Sequence, residues 1–226
     1  MPKATNLAGK IVRLIECFQS YQGEGPDTGK SMLILRFKRC NRSCPWCDTS
    51  VKMRISVETE YDIKTIQNVI DDKKCGMLIT GGEPTFNLNL TGTLDLINYV
   101  NCKYYNVETN GYALLKLLKD ADPEKNVKYI LSPKLFSEKD FEFYTDLTKR
   151  IISNEKVFIK VVAEDKKLIH DYLQFLTSFN INERVYIMPE GKTRDELFKN
   201  QHCVFDMCEK YKFNFSSREH IIYGFI

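Results

Sequence analysis

Apolar positions along the chain follow two periods. Val12 to Phe18 and Met32 to Phe37 are rich in branched and aromatic residues and predict strands. Gln19 to Lys30, between them, is polar and glycine-rich and predicts a loop. Ile63, Ile66, Val69 and Ile70 then recur at helical spacing, and the short apolar run Gly76 to Thr80 predicts a strand. Leu94, Ile97 and Val100 predict a second helix, and Tyr104 to Glu108 the next strand. Strand-like runs return at Tyr129–Leu131, Val157–Val162 and Val185–Met188, with helical patterns between and after them, including Asp165–Ser178 and Arg194–Tyr211. Alternating strands and helices predict an α/β fold with a parallel sheet or barrel, where chemistry sits at the C-terminal ends of the strands. The chain has no internal repeat and no low-complexity segment.

Composition narrows the function classes. A length of 226 residues suits one domain, and 43% apolar residues can fill a sizeable core. The net charge of +3, from 33 basic and 30 acidic residues, is too mild for a general nucleic-acid binder and is compatible with a small anionic substrate. Met1 to Leu7 has no apolar signal-peptide core, and no apolar run approaches the roughly 20 residues of a membrane span. The chain therefore reads as soluble and cytoplasmic, with no membrane partner. Eight cysteines in such a chain point to metal binding or catalysis more than to disulfides.

Three of the cysteines carry the strongest signal. Cys40-Asn41-Arg42-Ser43-Cys44-Pro45-Trp46-Cys47 is a Cys-x3-Cys-x2-Cys pattern. Three such thiolates can bind three irons of a cubane that takes four cysteines when fully ligated, and the next cysteine along the chain is Cys75. The fourth iron stays open to chelation by an amine and a carboxylate. Taken alone the triplet equally fits a structural zinc knot with a distant fourth ligand. Thr80-Gly81-Gly82-Glu83-Pro84 follows a strand; its glycines permit close backbone approach to a ligand, and its exposed carbonyls and Glu83 carboxylate suit an ammonium group. An ordinary turn is the plainer reading of that segment by itself.

Together, the triplet and the Gly-Gly-Glu-Pro segment resemble the radical S-adenosylmethionine (SAM) superfamily. Further segments appear in order: Gln22-Gly23-Glu24-Gly25, Arg36, Trp46-Cys47-Asp48-Thr49, Glu108-Thr109-Asn110-Gly111, Ser132-Pro133-Lys134, Met188-Pro189-Glu190-Gly191-Lys192-Thr193 and Ser217-Arg218-Glu219-His220. The set covers nearly the whole chain and is similar to the 7-carboxy-7-deazaguanine synthase family. That resemblance implies an incomplete parallel (β/α) barrel of the radical SAM type in a single domain, 1–226, with the cluster loop at 38–49. It implies a [4Fe-4S] cluster on Cys40, Cys44 and Cys47, SAM, and Mg²⁺. One electron into the SAM sulfonium gives a 5′-deoxyadenosyl radical. The radical takes hydrogen from C6 of 6-carboxy-5,6,7,8-tetrahydropterin; the ring contracts and ammonia leaves. The product, 7-carboxy-7-deazaguanine, serves queuosine synthesis for tRNA, or DNA modification in some phages and bacteria. The resemblance also implies a homodimer and an external electron donor such as flavodoxin, with no direct nucleic-acid contact.

Roles carry over by position. Arg36 matches the residue that binds the pterin carboxylate, a pairing suited to a guanidinium fork. Tyr21, Gln22, Gly23, Thr80 and Glu108 match pterin contacts. Trp46, Cys47, Asp48, Gly82, Glu83, Ser132, Pro133 and Lys134 match SAM contacts. Thr49 matches the Mg²⁺ position, where one hydroxyl makes sense only if the substrate shares the ion; a Thr that caps the next turn is the plainer reading. Two departures stand out: Arg39 occupies a position that is often Gly in the family, and Glu219 replaces Leu in an Arg-Leu-His segment. Whether His220 faces the site is open. Cys17, Cys75, Cys102, Cys203 and Cys208 read as small, mostly buried hydrophobes. Two rival readings are another radical SAM enzyme, such as a glycyl-radical activase, and a zinc-binding interaction module. An activase has no need of Arg36 or the Gln-Gly-Glu-Gly loop.

Overall fold

The run read as one strand, Val12 to Phe18, folds as two: β1 (Ile11–Leu14) and β2 (Glu16–Tyr21), in different sheets. The break falls at Ile15, whose amide donates to the Arg36 carbonyl at 2.8 Å and so draws the chain from one sheet to the other. The computed structural model describes residues 9–225, so Met1 to Leu7, read above for a leader, lies outside the described residues. No helix among the described residues is long and apolar enough to cross a membrane.

The described chain forms two compact units, and the first comprises the residues up to 20 together with 30–43 and 49–128. It continues with β3 (Ser31–Phe37), α1 (Ser50–Ile55), β4 (Thr59–Asp62), α2 (Ile63–Lys73), β5 (Gly76–Gly81), α3 (Leu88–Tyr99), β6 (Tyr105–Thr109) and α4 (Leu114–Asp120). β1 and β4 form an antiparallel pair. β3, β5 and β6 run parallel, with Arg36 opposite Thr80 and Ile79 opposite Val107. β3 and β5 read as near-continuous buried runs, as parallel strands covered on both faces do. α2 starts where the Asp62 side chain accepts from the Lys64 amide at 2.7 Å, and it buries Ile63, Ile66 and Ile70. Its neighbour β4 is polar and was not anticipated; pairing with β1, not hydrophobicity, makes it a strand.

The second unit comprises residues 21–29, 44–48 and 129 onward. It holds most of β7 (Val127–Leu131), and its other elements are α5 (Glu138–Ile151), β8 (Val157–Ala163), α6 (Lys167–Leu176), β9 (Val185–Pro189), α7 (Arg194–Tyr211), β10 (Asn214–Phe215) and α8 (Glu219–Tyr223). β7, β8, β9 and β10 pair in parallel in that order. α7 opens on a capping box in which Thr193 and Glu196 satisfy each other's backbone amides. The α/β class with a mostly parallel sheet is therefore as the alternation predicts.

The five cysteines outside the cluster motif need a correction. Only Cys75 is buried; Cys17, Cys102, Cys203 and Cys208 are half-buried. Cys17 lies on β2, Cys203 and Cys208 on α7, and Cys102 in the connection between α3 and β6, where the core does not fully cover them. Cys102 and Cys203 instead donate to the carbonyls of Tyr104 and Asn200, each at 3.1 Å. Burial still pushes the thiols of Cys17 and Cys208 up to about 11 and that of Cys102 up to about 12. Thiols held protonated in this way are poor metal ligands.

Candidate functional site

In the first unit, candidate residues gather at the C-terminal ends of β3, β5 and β6. After β5 the Gly82 amide donates to the Phe37 carbonyl at 2.8 Å, and the Glu83 amide donates to the Arg39 carbonyl at 2.7 Å. A Cβ on Gly82 would lie 2.1 Å from the Arg39 oxygen, and one on Gly81, at φ +112°, would lie 2.4 Å from the Phe37 oxygen. The backbone these glycines admit on this side is the segment leading into Cys40. The pair fixes where the cluster loop leaves the sheet.

Glu83 is a buried acid in the same turn. Its carboxylate is 1% exposed and accepts four hydrogen bonds, from the Thr85 amide and hydroxyl, the Thr109 hydroxyl and the Asn110 amide, at 2.5–2.9 Å. It ties the end of β6 to the turn after β5. Burial raises its carboxyl above the ordinary value, against the lowering effect of these donors. Asn110, held in this way, directs its side-chain amide to Asn41 Oδ1 at 2.8 Å, with Cys40 Sγ 4.0 Å away. The Arg42 amide donates to the same sulfur at 3.4 Å. Donors around a cysteine sulfur favour its thiolate and tune a cluster bound to it.

Arg36, Thr80 and Glu108 form one row across the three strands. Thr80 donates to Glu108 Oε2 at 3.0 Å, so Glu108 is held against the sheet and is not a freely solvated strand end. Arg36 is buried and gives its Nε to Glu16 Oε2 at 2.5 Å, while Lys52 reaches the other Glu16 oxygen at 2.9 Å. Burial would raise the Glu16 carboxyl, but Lys52 and Arg36 outweigh it and hold it low. Neither Glu16 nor Lys52 stood out in the sequence. Thr49 is buried at the start of α1, and its side chain makes no capping hydrogen bond there, which removes the plain capping reading.

The second unit holds the Gln-Gly-Glu-Gly loop. Tyr21 is exposed, whereas Gln22, Gly23, Glu24 and Gly25 are buried. Residues 216–220 seat this loop: Ser216 Oγ accepts from the Gly25 amide at 2.8 Å, and the Glu219 amide donates to the Gly23 carbonyl at 3.0 Å. Glu24 lies between Lys160, on Oε2, and Arg218, whose Nε reaches Oε1 at 2.9 Å. Arg218 Nη2 also donates to Asp48 Oδ2 at 2.9 Å, and His220 Nε2 lies 3.3 Å from the same oxygen. Burial works against ionised Glu24, yet Lys160, Arg218 and His220 hold its carboxyl well below the ordinary value. Asp48 is likewise held low, against burial, by His220 and Arg218. Glu24, Asp48 and His220 bring ligand-type atoms within 4.8 Å of one another, but two fixed cations already neutralise the two carboxylates. The cluster is an ion-pair network. Lys160 escaped sequence reasoning, although a lysine inside the apolar strand Val157–Ala163 was a readable signal.

Residues 44–48 of the cysteine motif are also anchored here. The Trp46 ring packs on Phe136 with centroids 4.9 Å apart, and its Nε1 is buried with no acceptor among the described residues. Ser132 and Pro133 are buried at the end of β7, and Lys134 donates to Ser132 Oγ at 2.8 Å.

The chain is similar to the 7-carboxy-7-deazaguanine synthase of Hyperthermus butylicus, with 24% identity over 231 residues, 97% of this chain and 96% of that one. It is similar to the enzyme of that name from Clostridium acetobutylicum at 26% identity, over 78% and 80% of the two chains. In fold it matches the crystal structure of QueE from Escherichia coli with a TM-score of 0.62 and 20% identity, covering 93% of this chain and 95% of that one. The radical SAM superfamily model matches residues 34–166, which include Arg36, the cysteine triplet, Gly82, Glu108 and Ser132. That match spans more than half of the sequence, and the chain belongs to the radical SAM superfamily.

Proposed function

We propose that this chain converts 6-carboxy-5,6,7,8-tetrahydropterin to 7-carboxy-7-deazaguanine with loss of ammonia, as a single-domain radical SAM lyase of deazapurine synthesis. The observation that carries the reading is the likeness to the Hyperthermus butylicus synthase over 97% of the chain. A radical SAM enzyme with another substrate would share the middle of the chain but has no need of the segments at both ends.

The superfamily's cofactors are a [4Fe-4S] cluster and SAM, and the residues present fit them. Cys40, Cys44 and Cys47 are half-buried thiols in no disulfide, and the buried Trp46 Nε1 beside Cys47 is a donor awaiting an acceptor. When bound, the cluster and SAM supply one-electron chemistry that abstracts a hydrogen atom. Cys40, Cys44 and Cys47 would hold the cluster. Gly82, Glu83, Trp46, Asp48, Ser132, Pro133 and Lys134 would bind SAM, Glu83 by shaping the turn around it. Arg36 would hold the substrate carboxylate: Glu16 takes its Nε edge and orients the guanidinium. Gln22, the backbone of Tyr21 and Gly23, and the Thr80–Glu108 pair would grip the pterin ring. Thr49 would share Mg²⁺ with the substrate, because this ion accepts oxygen ligands and keeps waters. The reading also includes a homodimer, a cytoplasmic location and an external electron donor such as flavodoxin.

The test is an anaerobic assay of the reconstituted protein with SAM, a reductant and the carboxypterin, with products identified by mass. 7-Carboxy-7-deazaguanine and ammonia are expected. SAM cleavage with the pterin unchanged would point to another substrate, and a colourless protein holding only zinc would remove the enzymatic reading.

A further inference from the structure

We propose that Arg218 is a positioning residue shared by the pterin loop and the cofactor loop. The inference rests on the function proposed above, which puts Gln22 on the pterin and Asp48 on SAM. Arg218 is 5% exposed. Its Nε holds Glu24, its Nη2 holds Asp48, and its Nη1 donates to the Gly191 carbonyl at 2.5 Å. One planar group thus joins three segments that are far apart in the sequence. The Glu24 amide in turn lies 3.3 Å from Gln22 Oε1, so the carboxylate that Arg218 fixes belongs to the same turn as the pterin-binding side chain.

Charge alone does not explain an arginine here. Lys160 already meets Glu24, so the Glu24 carboxylate keeps a partner without residue 218. Among the described residues, Asp48 meets His220 besides, and at a longer distance. A lysine at 218 would preserve the charge but lacks the fork that reaches two carboxylates and a carbonyl at once. Arg218→Lys therefore separates geometry from charge. Arg218 would act on SAM through Asp48 and on the pterin through the Glu24 turn, touching neither ligand.

The experiment is a double-mutant cycle on the reconstituted protein: wild type, Arg218→Lys, Asp48→Asn and the double variant, compared at equal iron per chain. SAM affinity is read from the change in the electron paramagnetic resonance spectrum of the reduced cluster as SAM is added. Each single variant is expected to weaken SAM binding about tenfold. The double variant should be no weaker than either single, because both changes remove one contact. The KM for carboxypterin should rise in Arg218→Lys as well. Unchanged SAM affinity in Arg218→Lys, multiplying effects in the double variant, or an unchanged KM would each overturn the shared role. If the lysine variant loses iron, Arg218→Gln, which keeps a planar donor, replaces it in the cycle. A wild type that binds SAM but does not convert carboxypterin would refute the proposed function, while the SAM cycle would still decide the role of Arg218.

Discussion

His220 leaves no room for a side chain at Gly23: a Cβ there would lie 2.5 Å from the imidazole Nδ1 and 3.0 Å from the His220 backbone nitrogen. Gly23 accepts from the Glu219 amide in the same contact. The Gln-Gly-Glu-Gly loop therefore needs its first glycine for packing against the C-terminal segment. Gly23→Ala should cost about 1–3 kcal/mol through overpacking. Adding His220→Ala removes the ring but not the backbone nitrogen, so it should restore only part of that loss. Thermal denaturation of the two variants checks this, and a double variant no more stable than Gly23→Ala would show that the ring is not the obstacle.

The cluster assignment predicts that replacing Cys40, Cys44 or Cys47 by Ala abolishes iron-dependent absorbance and SAM cleavage. Replacing Cys75 or Cys203 should leave both intact, because burial raises these thiols away from the thiolate form. Iron per chain, measured after anaerobic reconstitution, decides it: an unaltered value in the Cys44 variant would remove Cys44 from the ligand set.

Arg36 and Glu16 give the substrate reading a stability arm. Removing one partner of a buried ion pair costs roughly 3–5 kcal/mol, and Lys52, which remains on Glu16, should hold the loss below that range. Arg36→Ala should therefore fold, bind SAM and lose most carboxypterin affinity. A tetrahydropterin lacking the carboxylate should bind wild type and variant alike. Equal affinity of the wild type for both pterins would show that Arg36 does not read the carboxylate.

Glu24 sets an acid limb. Its folded carboxyl lies below the unfolded value, so its contribution is present above an unfolded pKa of about 4.3 and is lost as pH falls toward the folded value. Glu24→Gln should be less stable at neutral pH, because Lys160 and Arg218 lose their shared partner, and should lose less further stability below about pH 4. Urea midpoints across pH test it. Parallel curves for the two proteins would mean that Glu24 is not the titrating group.

Periodicity and chemistry were not equally readable in the chain. Parallel strands such as Met32–Phe37 and the long α7 announce themselves because burial on both faces or a 3.6-residue period dictates their composition. β4 does not, since Thr-Glu-Tyr-Asp becomes a strand only by pairing with β1. Among site residues, Cys40, Arg36 and Gly82 stand in short motifs. Glu16, Lys52 and Lys160 are partners contributed from distant parts of the chain, and only contact reveals them. Glu83 also stands in such a motif, yet nothing in five residues of sequence says that Thr109 and Asn110 would absorb its carboxylate.

Thr49 is where a bound ion can be tested most directly. The residue is buried and follows Cys47-Asp48. If its hydroxyl shares Mg²⁺ with the pterin, the ion acts on turnover and not on cluster assembly. Chelating Mg²⁺ should then slow ring contraction and leave iron content unchanged. Thr49→Ser keeps the oxygen and should keep most of the response to added Mg²⁺, whereas Thr49→Ala should blunt it. A structural role would sort the variants differently: both would lose the buried methyl or hydroxyl packing, and neither would change the Mg²⁺ concentration needed for half-maximal turnover. The measurement is a Mg²⁺ titration of turnover for the three proteins at saturating SAM. Identical magnesium dependence in wild type and Thr49→Ala would show that Thr49 is no ligand, and full activity of all three without a divalent ion would take magnesium out of the reaction.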